Sequence, residues 1–230
     1  MRWNVGLLLV AVSVILTGCA VKPQYPVGLA PTAVKASEGR VGVAMTALPK
    51  VDTEFPGAGC LLCYAFASAS NSALTTHTNT LPHEDLVTLK NELADLIRKK
   101  GGDVVVIQEV IDIKTLPDNA QAAPGIAKKD FSQLQKKYAI DKLLMVEITS
   151  LGMVRTYSAY VPTSDPKGMV VGTGYLVNLK TNAYEWYKRI NIVKASESQW
   201  DEPPKFPGLT NAYFQALETG KDQFREPFLK

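Results

Sequence analysis

Residues 82–109 read PHEDLVTLKNELADLIRKKGGDVVVIQE. Leu86, Leu89, Leu93, Leu96 and Ile97 recur at the i, i+3, i+4 spacing of one buried stripe, which predicts a helix over Pro82–Lys100. Pro82, Glu84 and Asp85 fall in its first turn, Arg98, Lys99 and Lys100 in its last, and Gly101-Gly102 ends it. Both charge placements suit the helix dipole. Asp103–Glu109 then reads as a buried strand, because four apolar residues run together without alternation.

Working outward, Arg40–Leu48 (RVGVAMTAL) predicts a strand with Val41, Val43 and Met45 on one face. Residues 115–129, with Pro117 and Pro124, read as a loop. Asp130–Tyr138 reads as a short helix whose Asp130 and Gln133 have capping-box spacing. Asp141–Thr149 is a further strand, so the order is β-α-β-α-β. Hairpins follow: Leu151–Val161 alternates, 164–168 turns, Met169–Leu179 is extended and 180–182 turns again. In Ala183–Val193, Tyr184, Trp186, Ile190 and Ile192 are expected on one face. After Pro203, Pro204 and Pro207, Leu209–Phe228 predicts a terminal helix weakened by Gly220. The expected architecture is a single α/β (α+β) domain over 40–230, with a mixed sheet of about five to six strands and helices packed on it.

The whole chain has 230 residues, a formal charge of +3, 46% hydrophobic and 20% charged residues. This is ordinary globular composition and excludes disordered, collagen-like and coiled-coil classes. So small a net charge gives no argument for nucleic acid. Three cysteines make no disulfide framework, and two histidines leave little room for histidine chemistry.

The chain opens MRWNVGLLLVAVSVILTGC. Arg2 supplies a positive n-region, and the apolar run Gly6–Leu16 is shorter than a membrane span of about 20 residues. Leu16-Thr17-Gly18-Cys19 resembles the lipobox of bacterial lipoproteins. That resemblance implies a signal peptide over 1–18, diacylglycerol on the Cys19 sulfur and an acylated (palmitate-type) amine, which together anchor the chain firmly. Ala20, which is not Asp, implies the periplasmic face of the outer membrane. Residues 19–39, with Pro23, Pro26 and Pro31, are expected as the lipidated Cys and a flexible tether.

Residues 49–81 are the least regular. A short apolar helix over roughly 60–74 and then an extended polar segment are expected. Within it, Cys60 and Cys63 admit several readings. A C-x-x-C pair can cycle between dithiol and disulfide, although no thioredoxin-like context surrounds this one. Cys60-x2-Cys63-x13-His77-x5-His83 has zinc-ligand spacing and uses both histidines. Against zinc, Pro82 keeps the histidines off a shared helix, and an oxidising periplasm favours a Cys60–Cys63 disulfide. The pair could equally be two small buried residues. Leu61, Leu62, Tyr64 and Phe66 beside it are either core or a contact surface for a partner or for lipid.

A lipobox, a proline-rich tether, the strand RVGVAMTAL, an amphipathic helix, DVVVIQE and DKLLMVEIT occur here in that order. Together with GYLVNLKTNAYEWYKRI (Gly174–Ile190), a strand, a turn and a Trp-bearing strand, they resemble bacterial envelope lipoproteins that share the α/β fold of the TolB N-terminal domain and of CsgG. The resemblance implies a binding or assembly role in secretion, transport or wall synthesis, often in a homo-oligomer. It does not cover the CLLC segment, and the membrane-inserting hairpins of CsgG are not evident.

No catalytic signature emerges. There is no G-x-S-x-G elbow, Gly172-Thr173-Gly174 lies inside a strand pattern, and Glu84, Asp85 and Glu92 are expected on a solvent face. Outward-facing members of the aromatic group Tyr157, Tyr160, Tyr175, Tyr184, Trp186 and Tyr187 could form a binding face. The expectation is a lipid-anchored, non-catalytic accessory that binds other envelope proteins and needs no cofactor. The alternatives are a zinc- or disulfide-stapled functional segment 55–83 and an envelope hydrolase without a recognisable site.

Overall fold

The computed structural model describes residues 23–229. Cys19 and the expected signal peptide lie outside these residues. One mixed sheet runs in the order β3-β1-β4-β7-β8: β3 (Val104–Val106), β1 (Val41–Met45), β4 (Lys142–Val154), β7 (Lys167–Asn178) and β8 (Tyr184–Ala195). A sixth strand, β2 (Asp52–Glu54), pairs in parallel with the far end of β4. β1 is parallel to β3 and β4, whereas β4, β7 and β8 are antiparallel. A small hairpin, β5 (Tyr157–Ser158) with β6 (Val161–Pro162), extends from the end of β4. The helices are α1 (Leu61–Ser70), α2 (Ser72–Thr78), α3 (Leu89–Lys99), α4 (Gln133–Tyr138) and α5 (Pro207–Leu229). This is a single mixed α/β domain with the expected class and strand number.

Both sheet faces are covered. Val41, Val43, Leu144, Val146, Trp186 and Ile190 meet α3 and α5 through Leu89, Leu93, Ile97, Tyr213, Leu217 and Phe224. On the other face Ala44, Leu143, Met145, Tyr175 and Val177 meet Leu134 of α4 and the segment after β3, through Ile107, Ile111, Leu116 and Phe131. Across the first layer Arg225 Nε of α5 donates to Glu92 Oε2 of α3 at 2.7 Å, so Glu92 is part of a helix–helix contact and not of a free solvent face.

Several elements differ from the sequence expectation, each for a local reason. The helix expected from Pro82 begins as a 3-10 turn, Glu84–Thr88, because the Thr88 hydroxyl donates to Asp85 O at 2.6 Å and so takes up a carbonyl at the tighter spacing. The polar run after residue 71 is α2, not an extended segment. Leu74 and Thr78 are buried, and Thr78 Oγ1 donates to Leu74 O at 2.9 Å, so tertiary burial outweighs weak propensity. The capping box at Asp130 and Gln133 does not form. Asp130 Oδ1 instead accepts from Ser132 N–H at 2.9 Å and Asn182 Nδ2 at 2.8 Å, which ties this turn to the β7–β8 turn and holds its carboxyl below the usual range.

Two expected strands around residue 150 are one, β4, with a bulge where the β7 register shifts between Ile148 and Ser150. A second register shift, between Leu176 and Val177, sets Trp186 opposite Leu176 and Tyr184 opposite Val177. Glu185 is the extra residue there. Trp186 therefore packs toward α5 while Tyr184 packs with Tyr175 and Tyr187 on the other face, so the expected single face of β8 is split.

The segment expected as a flexible tether is docked over its described part. Val27 exchanges both backbone bonds with Tyr187 (2.9 and 3.0 Å), Ala33 and Val34 are buried, and Lys142 Nζ donates to Ala33 O at 2.9 Å while pairing with Glu185 Oε2 at 2.6 Å. The folded unit therefore starts well before residue 40.

Two glycines test the fit of α5 on the sheet. A Cβ at Gly168 would lie 2.5 Å from Tyr213 N, against helix backbone that cannot yield, whereas one at Gly220 would make ordinary 3.4 Å contacts with Ile190 and Val170. Gly168→Ala is expected to cost about 1–3 kcal/mol, and Gly220→Ala to be neutral or to stabilise by up to about 1 kcal/mol through helix propensity. Urea denaturation of both variants checks the contrast.

Candidate functional site: an apolar helix capped by two cysteines

No charged residue occurs between Glu54 and Glu84. At the end of the sheet this uncharged stretch builds α1 and its support. Phe55, Ala58 and Tyr157 form a small separate core into which α1 inserts only Cys63 and Ala67, one turn apart, at 3% and 0% exposure. Leu61 is 86% and Leu62 70% exposed, and Tyr64 and Phe66 are exposed as well. Tyr160 and Val161, at the tip of the β5–β6 hairpin, continue the surface: the Tyr160 ring stands edge-on to Phe66, centroids 6.0 Å apart. From these exposures the six side chains present on the order of 600 Å² of apolar surface, at the top of what a monomer ordinarily shows. Of the two readings open from sequence, core or contact surface, Leu61, Leu62, Tyr64 and Phe66 are surface.

The support is rigid. Gly57 has φ +91°, and a Cβ there would overlap Tyr157 O, so only glycine lets the loop lie against the hairpin. Tyr157 N–H donates to Pro56 O at 2.8 Å and Ala159 N–H to Gly57 O at 3.2 Å. At the other end of α1, the buried Asn71 amide donates to Ala67 O and to Tyr157 OH, both at 2.7 Å, and its oxygen accepts from Arg155 at 2.9 Å. The Arg155 guanidinium in turn lies 4.8 Å from the Trp200 ring.

Cys60 is the N-cap of α1, and its Sγ accepts from Cys63 N–H at 2.9 Å. The two sulfurs are joined as a disulfide, with Cα atoms 4.9 Å apart. Tyr160 OH lies 3.8 Å from Cys60 Sγ. The zinc set that the spacing of Cys60, Cys63, His77 and His83 admits is not assembled. Cys60 and Cys63 are bonded to each other, His77 reaches into α5, and among the described residues no group of three or more His, Cys, Asp or Glu could hold a metal.

His77 Nε2 lies 2.8 Å from Thr210 Oγ1, and the Thr210 hydroxyl gives its one proton to Phe206 O at 3.0 Å. Nε2 is therefore the donor, and the pair clamps α2 to α5 without activating a nucleophile. Burial, and then the Lys205 charge, hold this imidazole below its ordinary value. A groove at the β3 edge, lined by Val105, Ile107, Glu109 and Tyr138, carries a second polar group. There Tyr138 OH donates to Glu109 Oε1 at 2.5 Å and Lys137 pairs with Glu109 at 3.2 Å, so these groups satisfy one another. The Tyr138 bond is the main reason that Glu109 titrates below its usual range. Of the aromatic group, Tyr157, Tyr175 and Trp186 are buried, Tyr184 and Tyr187 are partly buried, and Tyr160 is exposed. The contribution of the hairpin to the site could not be read from sequence, because Tyr160 meets α1 only through the fold.

No protein-family model and no curated protein matches the chain. Among solved structures it is similar to protein XCC0632 from Xanthomonas campestris, of the family model DUF330, at 13% identity over 87% of this chain and 89% of that one, TM-score 0.39. It is also similar to a PelC dodecamer from Paraburkholderia phytofirmans (11% identity, 89% and 94% coverage, TM-score 0.34) and to lipoprotein GNA1162 from Neisseria meningitidis (13%, 80% and 98%, TM-score 0.27). Likeness this distant transfers no activity, partner or assembly to this chain, and the resemblance to TolB and CsgG proteins rests on the sequence features alone.

Two outcomes follow from the support. Asn71→Ala removes the partner of Tyr157 OH and of Arg155 Nη1 and is expected to cost about 1–3 kcal/mol, with amide exchange in α1 accelerated before that of the sheet. For His77 the unfolded chain binds a proton near pH 6.5 and the folded chain only at lower pH. Stability is therefore full above that range and falls as pH drops through it. His77→Gln, which keeps a donor for Thr210, is expected to lose less of its urea midpoint between pH 7 and 5 than the wild type does.

Proposed function

We propose that this chain is a non-catalytic accessory of a bacterial envelope complex, anchored by lipid on Cys19 at the periplasmic face of the outer membrane, which docks another envelope protein on the α1 surface. The observation that carries the reading is α1 itself: an almost wholly apolar helix with only Cys63 and Ala67 buried, held in place by Asn71 and Gly57. A contiguous exposed apolar surface of this size marks an interaction site.

The path of the chain before Val27 bears on whether a protein or the anchoring bilayer covers this surface. Val27 sits beside Tyr187, which lies across Tyr175 from Met145. The α1 support begins beyond Val154, about 25–30 Å further along the strands. Cys19 stands four residues before Pro23 and can lie at most about 14 Å from it. Val27 pairs antiparallel with β8, so the residues before it lead toward the α1 end of the sheet, and a protein and the anchoring bilayer are told apart as covers by experiment. No helix among the described residues is long and apolar enough to cross a membrane.

The test is site-specific photo-crosslinking in intact cells. A crosslinker at Leu62 or Tyr64 is expected to give a discrete protein adduct, and one at the exposed Gln121 none. Leu61→Asp should change stability by no more than about 0.5 kcal/mol and reduce the Leu62 adduct at least tenfold. Lipid crosslinks alone at Leu62, or adducts indifferent to Leu61→Asp, overturn the docking reading. Cys19→Ser is expected to move the protein from the membrane to the soluble periplasmic fraction, and full membrane partition of that variant overturns the anchor.

A further inference from the structure

The cysteines at the head of α1 are arranged asymmetrically. Cys60 is exposed at the N-cap, whereas Cys63, one turn inside, is 3% exposed and packed in the small core with Phe55, Ala58 and Tyr157. An incoming sulfur therefore has access at Cys60. Two donors face that atom, the Cys63 N–H at 2.9 Å and the Tyr160 hydroxyl at 3.8 Å, and with the start of a helix they favour the thiolate of Cys60 once the bridge is open; they do not assist its attack by another sulfur, for which access alone selects Cys60. The bridge adds little as a staple. It joins residues three apart, the separation that restricts an unfolded chain least, on a helix already clamped by Asn71. Around Cys60 stand Leu61, Leu62, Tyr64 and Tyr160, with no charged residue in the local sequence.

We infer that the Cys60–Cys63 disulfide is a reversible covalent latch, exchanging at Cys60 with a cysteine thiol of the protein that docks on α1. The inference rests on the docking reading for its partner and on the cysteine geometry for its chemistry. The partner's thiolate attacks Cys60 Sγ in line with the bridge, and a bond forms between the partner sulfur and Cys60. The Cys60–Cys63 bond breaks, and its electron pair goes to Cys63, which takes up the proton that the partner's thiol gave up. One disulfide is consumed and one formed, so no external oxidant or reductant enters. In the reverse step Cys63 attacks Cys60 Sγ and restores the partner's thiol. The buried position of Cys63, within one helical turn of Cys60, keeps it available for that return and shielded from other thiols.

The experiment has a chemical arm and a cellular arm, both on the full-length chain. Purified Cys63→Ser, treated with oxidised glutathione, is expected to gain one glutathione at Cys60 at least tenfold faster than Cys60→Ser gains one at Cys63, with both variants folded by circular dichroism. Equal rates, or no adduct on folded Cys63→Ser, overturn the latch. In cells, Cys63→Ser is expected to accumulate a reducible protein adduct that Cys60→Ser lacks and that Leu61→Asp in the same chain lowers at least tenfold. Absence of the adduct from folded, membrane-bound Cys63→Ser also overturns the latch. An adduct undiminished by Leu61→Asp, with the glutathione asymmetry intact, upholds exchange at Cys60 and overturns docking on α1, so the two readings fail separately.

Discussion

β4 runs for thirteen residues because β7 pairs with it from Lys142 to Val154, while its other edge is taken at both ends, by β1 over Lys142–Val146 and by β2 over Gly152–Val154. Every other part of the molecule is placed relative to this strand. Its first half carries the parallel βα layer with α3, and its bulge re-aims the second half. From its end hang Arg155, Tyr157 and the β5–β6 hairpin, the groups that hold α1. A chain that lost β2 would leave backbone donors and acceptors bare at that end of β4, in the place where the apolar helix needs its support.

The energetics of α1 explain why that support is polar. A helix normally stays on a domain by burying a stripe of large side chains, each worth about 1.5–3 kcal/mol. α1 buries only Cys63 and Ala67 and directs its larger side chains outward. Hydrogen bonds must supply the rest, and a buried Asn71 joined to Tyr157 OH, Ala67 O and Arg155 does so with direction as well as energy. The division of labour is specific: backbone contacts and one amide position the helix, and its apolar side chains remain free for something else.

The sequence shows the fold where hydrophobic period and burial coincide. The stripe of Leu89, Leu93 and Ile97, the alternation of Val41, Val43 and Met45 and the long hairpin of β7 and β8 were all legible, because each follows from one element's own spacing. What was not legible came from contacts between elements. The three polar residues of β2 have no period to detect and form a strand because β4 offers an edge. The polar α2 is helical because Leu74 finds a core. A bulge at Glu185 moves Tyr184 to the face opposite Trp186, and nothing local announces it. At the site, Leu61, Leu62, Tyr64 and Phe66 were visible as an unusual apolar run beside two cysteines. Only the fold decides that these four face outward and that Tyr160, almost a hundred residues later, completes their surface.

An interface of this size raises a quantitative difficulty. About 600 Å² on one partner falls short of the roughly 800 Å² that each side of a standard stable complex buries, so docking through α1 alone would be weak and short-lived. The lipid proposed on Cys19 would change the arithmetic, because confining both proteins to one membrane surface would replace a bulk concentration with a far higher effective one, and a weak contact would then suffice. The docked path of residues 24–34 adds to this. Bound along β8 through Val27 and held by Lys142 at Ala33, it would shorten the reach to the proposed lipid and so restrict the volume the domain explores. A long free tether would spread the same surface over a larger volume and dilute the advantage. The burial of a segment that composition alone marks as linker would therefore favour the docking proposed for a small apolar surface.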